Sequence, residues 1–173
     1  CWAFSPVSAI TLARANAGLP YQHLSANAVA NKITGFKIRG GWSEDSMKHM
    51  QQLGAPETAF WPEQSNMRHF DNPDTWENAE QQKITEWWDI DPRDIDSIMT
   101  CLLLNYPVAV DIPAWAHSVC LIDPVNAPRN LRDIKFDHLN SWGNQWNGNG
   151  IGRLSGEYTK FSSAIACTVP TGE

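Results

Sequence analysis

Asn140-Ser141-Trp142-Gly143-Asn144-Gln145-Trp146, continued by Asn147-Gly148-Asn149-Gly150-Ile151, carries more glycine and indole than a helix or strand has any use for. Working outward from it, two other stretches put reactive side chains in unusual settings. His117 lies in Pro113-Ala114-Trp115-Ala116-His117-Ser118-Val119-Cys120-Leu121-Ile122, an apolar, strand-like run in which an ionisable ring needs a reason to be present. Cys1 opens the run Cys1-Trp2-Ala3-Phe4-Ser5, and the helical spacing of Val7, Ile10 and Ala13 predicts a helix over Trp2 to Asn16 that stops at Gly18 and Pro20. A thiol at a helix N-terminus feels the positive end of the helix dipole, which favours the attacking thiolate. Such a nucleophile also needs a base held in one orientation, which directs attention from Cys1 to histidine and to an amide or carboxylate beyond it. Taken singly, His117 reads as a satisfied core histidine, and Cys101, Cys120 and Cys167 read as buried small apolar residues.

The rest of the chain supplies the frame. Ser43 as N-cap, Glu44 and Asp45 in a first turn, Met47, Met50 and Leu53 on one face and Gly54 as stop predict a second helix. Glu57 to Asn78 is rich in Pro, Asn, Asp and aromatic residues without a period, and reads as a long surface connection. Lys83 to Ile90 reads as a strand. Asp91 and Pro92 then open a helix with Ile95, Ile98, Met99, Leu102 and Leu103 inward, closed by Pro107. Val108 to Ile112, Ser118 to Ile122 and Ile134 to Leu139 are short apolar or alternating runs that suit sheet. The expected class is α+β, with a mainly helical lobe over 1–100, a β-rich lobe over 101–173 and a cleft between them.

Composition narrows the function. With 173 residues the chain is one folding unit with room for a real core. Thirteen Lys and Arg against 19 Asp and Glu, with no basic run, speak against a nucleic-acid partner. The longest nearly apolar stretch, Cys101 to Ala116, is broken by Asn105, Pro107, Asp111 and Pro113, short of the roughly 20 apolar residues of a membrane helix. No HExxH or CxxC spacing implies a metal, the glycines at 148, 150 and 152 do not open a helix after a strand, and no cofactor is expected. Four cysteines without paired spacing and the absence of an Asn-x-Ser/Thr sequon lean towards a reducing compartment. The chain does not begin with Met, so a processed form or a segment of a larger polypeptide or assembly is expected.

Five short runs, in one order, resemble the papain-like cysteine peptidases: Cys1 to Ser5 the nucleophile helix, Arg39-Gly40-Gly41-Trp42 the substrate-binding glycine pair, Tyr106 to Val110 the first strand of the β-lobe, Ala116 to Val119 the histidine strand, and Asn140 to Gly143 the asparagine motif. The resemblance implies a papain-like two-lobed fold and a peptide or protein substrate. It implies Cys1 as nucleophile, His117 as base and then acid, and Asn140 as the residue that orients the imidazole. It further implies that Trp142 shields that hydrogen bond and Trp146 lines the leaving-group side. Gly40 and Gly41 would offer backbone to an extended peptide. Trp42 would wall the pocket for the substrate's second residue, and Ala116 leaves that region uncharged, so an apolar or aromatic residue is expected there.

Departures from the family pattern suggest a divergent branch. The family's oxyanion-hole glutamine precedes the nucleophile, and no residue stands before Cys1 here. Ile38 stands where a cysteine is common, Asn147 where glycine is usual, Pro6 inside the nucleophile helix, and His138 at a position usually apolar. Two rivals to a working peptidase remain: a papain-like module with little turnover serving a structural or peptide-binding role, and an N-terminal nucleophile that uses the α-amine of Cys1 as base.

Overall fold

The computed structural model describes residues 1–125, 130 and 133–171. Helices α1 (Phe4–Asn16), α2 (Ala26–Thr34) and α3 (Ser43–Gln52) come first, followed by α4 (Pro73–Glu80), β1 (Glu86–Asp89), α5 (Ile95–Leu103) and strands β2 (Val108–Ile112), β3 (His117–Pro124), β4 (Phe136–Leu139), β5 (Ile151–Leu154) and β6 (Ser163–Thr168). The strands form one antiparallel sheet in the order β1-β6-β2-β3-β4-β5, so an α+β architecture is observed. β1, from the first hundred residues, is an edge strand of that sheet, paired to β6 alone.

The pleat explains how the sheet serves two cores. Ala109, Cys120, Ile165 and Cys167 pack with Val7, Ile10, Met47 and Met50 on the side of α1 and α3. Val108, Val110, Ile112, Val119 and Leu121 face the other way, onto Ile98 and Leu102 of α5 and onto Phe136 and Phe161. Side chains alternate between faces along a strand, so Asp111 and Ser118 share the α1–α3 face with Ala109 and Cys120.

Pro6 falls in the first turn of α1, where a missing N–H costs little. Backbone bonds from Ser5 to Cys1 and from Val7 to Ala3 flank it, at 2.9 and 3.1 Å. The carbonyl of Trp2, to which a sixth residue with an N–H would donate, accepts instead from the Ser46 hydroxyl of α3 at 3.3 Å. The proline thus converts a local helix bond into a tie between α1 and α3.

Several sequence expectations change. Glu57 to Asn78 is not a bare surface connection. It contains a 3-10 turn at Arg68–Phe70, runs into α4, and buries Trp61 completely against Phe36, Phe70 and Trp76, with ring centroids 5.8 to 6.3 Å apart. α2 was not anticipated, although Ser25 caps it by accepting from the Ala28 N–H and Gly35 closes it in the left-handed region. Ser43 is the first residue of α3 rather than its cap, because its hydroxyl turns to Asp111. Gly54 does end that helix; at φ +79° a β-carbon there would lie 1.8 Å from the Ala79 carbonyl oxygen. α5 is capped by Asp94, not opened by Asp91 and Pro92, and Leu103, at its end, is 68% exposed where the chain reverses at Asn105. β1 is shorter than Lys83 to Ile90, whose ends Ile84 and Ile90 are buried outside the ladder. Among the other cysteines, Cys120 and Cys167 are buried, whereas Cys101 is only partly so.

Candidate active site

Cys1 is exposed at the entrance to α1. Ser5, one turn on, donates its hydroxyl to the Val119 carbonyl at 2.6 Å, which fastens the start of the helix to the strand that begins with His117. Cys1 and His117 are therefore brought to one region by the contact of α1 with β3, and not by proximity in sequence.

His117 and Asn140 are hydrogen-bonded: Nε2 of the ring lies 2.8 Å from Oδ1 of the amide. The same Oδ1 accepts from the Ser141 N–H at 2.7 Å, which fixes which end of the amide is oxygen. An amide oxygen only accepts, so the neutral imidazole carries its proton on Nε2 and keeps Nδ1 as the lone-pair nitrogen. Burial lowers the His117 pKa; the bond to Asn140 pushes the other way. Asn140 is itself buried.

Aromatic rings hold the imidazole. Trp142 stacks on it at 4.9 Å between centroids and 26° between planes, and Trp146 stands edge-on to Trp142 at 5.5 Å and 84°. Trp115, not singled out in the sequence, meets His117 at 5.0 Å and 65° and Trp142 at 5.2 Å and 90°. It reaches the ring because Pro113–Trp115 is a single 3-10 turn between β2 and β3, closed by Ala116 in the left-handed region at φ 49°. A non-glycine residue in that conformation, next to the candidate base, costs of order 1 kcal/mol.

His138, the other histidine near the site, is buried beside Trp115 and Trp146, at 6.0 and 5.8 Å between centroids, and burial takes its pKa down to about 4. It does not contact Asn140 through a side-chain hydrogen bond. Gly40, Gly41 and Trp42 line a cavity of about 290 Å³ with Ile33, Thr34, Arg39 and Asp45. A β-carbon on Gly41 would stand 2.8 Å from the Trp2 indole, so the absence of a side chain lets this segment lie against the residue after Cys1. Trp42 is 71% exposed beside it. Asp111, on the sheet face turned towards α1 and α3, accepts from Ser43 and Ser118. No sequence pattern marked it, because both donors are distant in the chain or on a neighbouring strand.

Among the described residues no group of His, Cys, Asp and Glu could hold a metal ion, and no helix is long and apolar enough to cross a membrane.

No protein-family model and no curated protein matches the sequence. Solved structures do match the fold. Xylellain, a cysteine protease from Xylella fastidiosa, superposes with a TM-score of 0.78 at 17% identity over 98% of this chain and 79% of its own. The bromelain protease from Ananas comosus, solved with the inhibitor E64, gives 0.72 at 18% identity over 98% and 89%. Digestive procathepsin L 3 from the larval midgut of Tenebrio molitor gives 0.76 at 17% identity over 97% of this chain and 62% of its own. A sheet flanked by helices, in the same arrangement across nearly all of these residues, gives this chain the fold of the papain-like cysteine peptidases.

Proposed function

We propose that this protein is a cysteine peptidase that hydrolyses peptide bonds through a thioester on Cys1. The observation that carries the reading is the His117–Asn140 hydrogen bond, with Trp142 stacked over it and the Cys1 helix fastened to the same strand. In this scheme the Cys1 sulfur attacks the substrate carbonyl after its proton passes to Nδ1 of His117. The imidazolium gives that proton to the leaving amine, and a water activated by His117 then cleaves the thioester. Asn140 holds the ring in the tautomer that makes both steps possible, and the indoles keep water from competing for that bond.

Gly40 and Gly41 present backbone to an extended peptide, with Trp42 walling one side pocket, Ala116 opposite and Trp146 towards the leaving group. The test is hydrolysis of a fluorogenic peptide library by the wild-type chain, with Cys1→Ala and His117→Ala as controls. Turnover lost in both variants supports the assignment. Rapid, stoichiometric alkylation of Cys1 with no hydrolysis of any library member would instead favour a peptide-binding module.

A further inference from the structure

His138 of β4 lines a cavity of about 300 Å³ that the catalytic scheme does not use. Three aromatic rings wall it: Trp115 from the turn before β3, Trp146 from the turn Trp146–Gly148, and Tyr158 from the turn Gly156–Thr159. Trp115 stands edge-on to His138 at 6.0 Å and 89° and to Tyr158 at 6.2 Å and 70°, and Trp146 meets His138 at 5.8 Å. Gly152, the cross-strand partner of His138, makes room for these rings. A β-carbon there would lie 2.6 Å from Cε1 of His138 and 2.5 Å from Cη2 of Trp146. The cavity is one ring away from the candidate base, because Trp115 also meets His117.

The polar lining selects the ligand. Arg153 donates to both oxygens of Asp137, at 2.8 and 3.1 Å, and the Asn147 amide donates to the Ile151 carbonyl at 2.7 Å. His138 differs: it is 1% exposed, and neither ring nitrogen makes a hydrogen bond among the described residues. Burial keeps the ring neutral, although the Gly152 backbone pulls towards the protonated form. A buried donor and acceptor left unpaired are costly, so a ligand that supplies a partner to either gains from this ring. Arg153 lines the cavity and no carboxylate does, which disfavours a cation. The faces of the aromatic rings are negative, which disfavours an anion. A neutral aromatic ring that bears a hydroxyl suits what remains. It packs edge-to-face on the indoles and against Leu154, and its hydroxyl donates or accepts whichever tautomer His138 holds.

We propose that this cavity binds a neutral phenol, with the hydroxyl on the His138 imidazole and the ring among Trp115, Trp146 and Tyr158. The volume suffices, since a cavity of about 150 Å³ already accepts benzene in another protein. The assignment is independent of the peptidase reading, because it uses neither Cys1 nor the His117–Asn140 bond.

A ligand-observed NMR titration of the full chain compares phenol with toluene, benzoate and benzylammonium. Phenol is expected to bind about tenfold tighter than toluene, which keeps the ring and lacks the hydroxyl, and tighter than either ion. In protein carrying isotope-labelled histidine, phenol should move the ring-nitrogen resonances of His138, a readout that needs no substitution. His138→Phe keeps an aromatic ring without nitrogens and should bring the phenol affinity down to that of toluene. Tyr158→Ala, at a side chain 48% exposed, should weaken both neutral probes alike. Competition by N-acetyltyrosinamide would trace the phenol to a tyrosine side chain, and failure to compete would trace it to a free phenol; both keep the site. No saturable phenol binding, phenol binding no tighter than toluene, or phenol binding that leaves the His138 resonances in place overturns the proposal.

Discussion

The His117 imidazole and the Trp142 indole lie nearly parallel, 4.9 Å apart at their centroids, and Trp115 closes a second side of the imidazole at right angles to Trp142. The ring therefore has little freedom except about the bond that Asn140 already holds. Burial by these neighbours also keeps its pKa below the ordinary histidine value.

One consequence is measurable in the pH profile. A lowered pKa keeps the imidazole neutral, and so able to act as base, below about pH 6.5. Trp142→Ala admits water to the Nε2–Oδ1 bond, and is expected to move the acid limb of the kcat/KM profile upwards and to lower its plateau. An unmoved limb with only a lower plateau would mean that Trp142 shapes the cleft without setting the base.

The candidate triad should lose function unequally. His117→Ala removes the base and is expected to cost about 10² to 10⁴ in kcat/KM, whereas Asn140→Ala leaves the base with a looser orientation and costs less. Rapid alkylation at Cys1 should disappear with His117→Ala and persist with His138→Ala. The reverse order, read by iodoacetamide labelling, would reassign the base.

Thiol reactivity should be confined in the same way. Burial pushes the Cys167 thiol up to about 12 and Cys120 higher still, and it raises Cys101 as well. Limited iodoacetamide at mildly acidic pH followed by peptide mapping should place the label on Cys1. Label on Cys120 or Cys167 would require the sheet to open, which burial on both faces opposes.

Pro6 and Ser46 should be coupled. Ser46→Ala leaves the Trp2 carbonyl without its donor, and the expected cost is about 1–3 kcal/mol in urea unfolding. In a Pro6→Ala background an N–H returns to the sixth position and can take that carbonyl, so the same substitution should cost less. Additive costs would show that the hydroxyl is not replacing the missing helix bond.

Acid should destabilise the fold through two histidines. Burial holds His49 and His138 down to about 4; Lys32 adds to the effect at His49, His117 adds to it at His138, and Asp137 opposes it there. Unfolded histidine takes up a proton near pH 6.5, so the stability these groups contribute is present above that value and is lost as pH falls towards about 4. Melting temperatures measured across that range should fall less steeply for His138→Leu than for wild type. Parallel curves would exclude His138 from the transition.

Some of this was written in short-range chemistry. Val108–Ile112 was legible to the residue because a brief apolar run lies between Pro107 and Pro113, neither of which has an N–H to donate to a ladder. The His117–Asn140 relationship was legible because each belongs to a compact motif that resembles one of the papain-like peptidases. α2 escaped notice because Ala26–Thr34 is half polar and its helical face appears only against α3, although the Ser25 cap and Gly35 were visible signals. The surface reading of Glu57 to Asn78 failed because Phe70 and Trp76, themselves partly buried, pack around the fully buried Trp61 in a cluster that has no period to detect. What the sequence by itself determined was therefore the class of fold, which resides in local composition and spacing, and a set of candidate residues marked by short motifs that resemble a known family. Tertiary structure alone decided that Ser46 serves the Trp2 carbonyl, that Trp115 corners the imidazole, and that Asp111 accepts from both Ser43 and Ser118. Each is a contact between elements, fixed by how the sheet and helices pack and by where a side chain can reach.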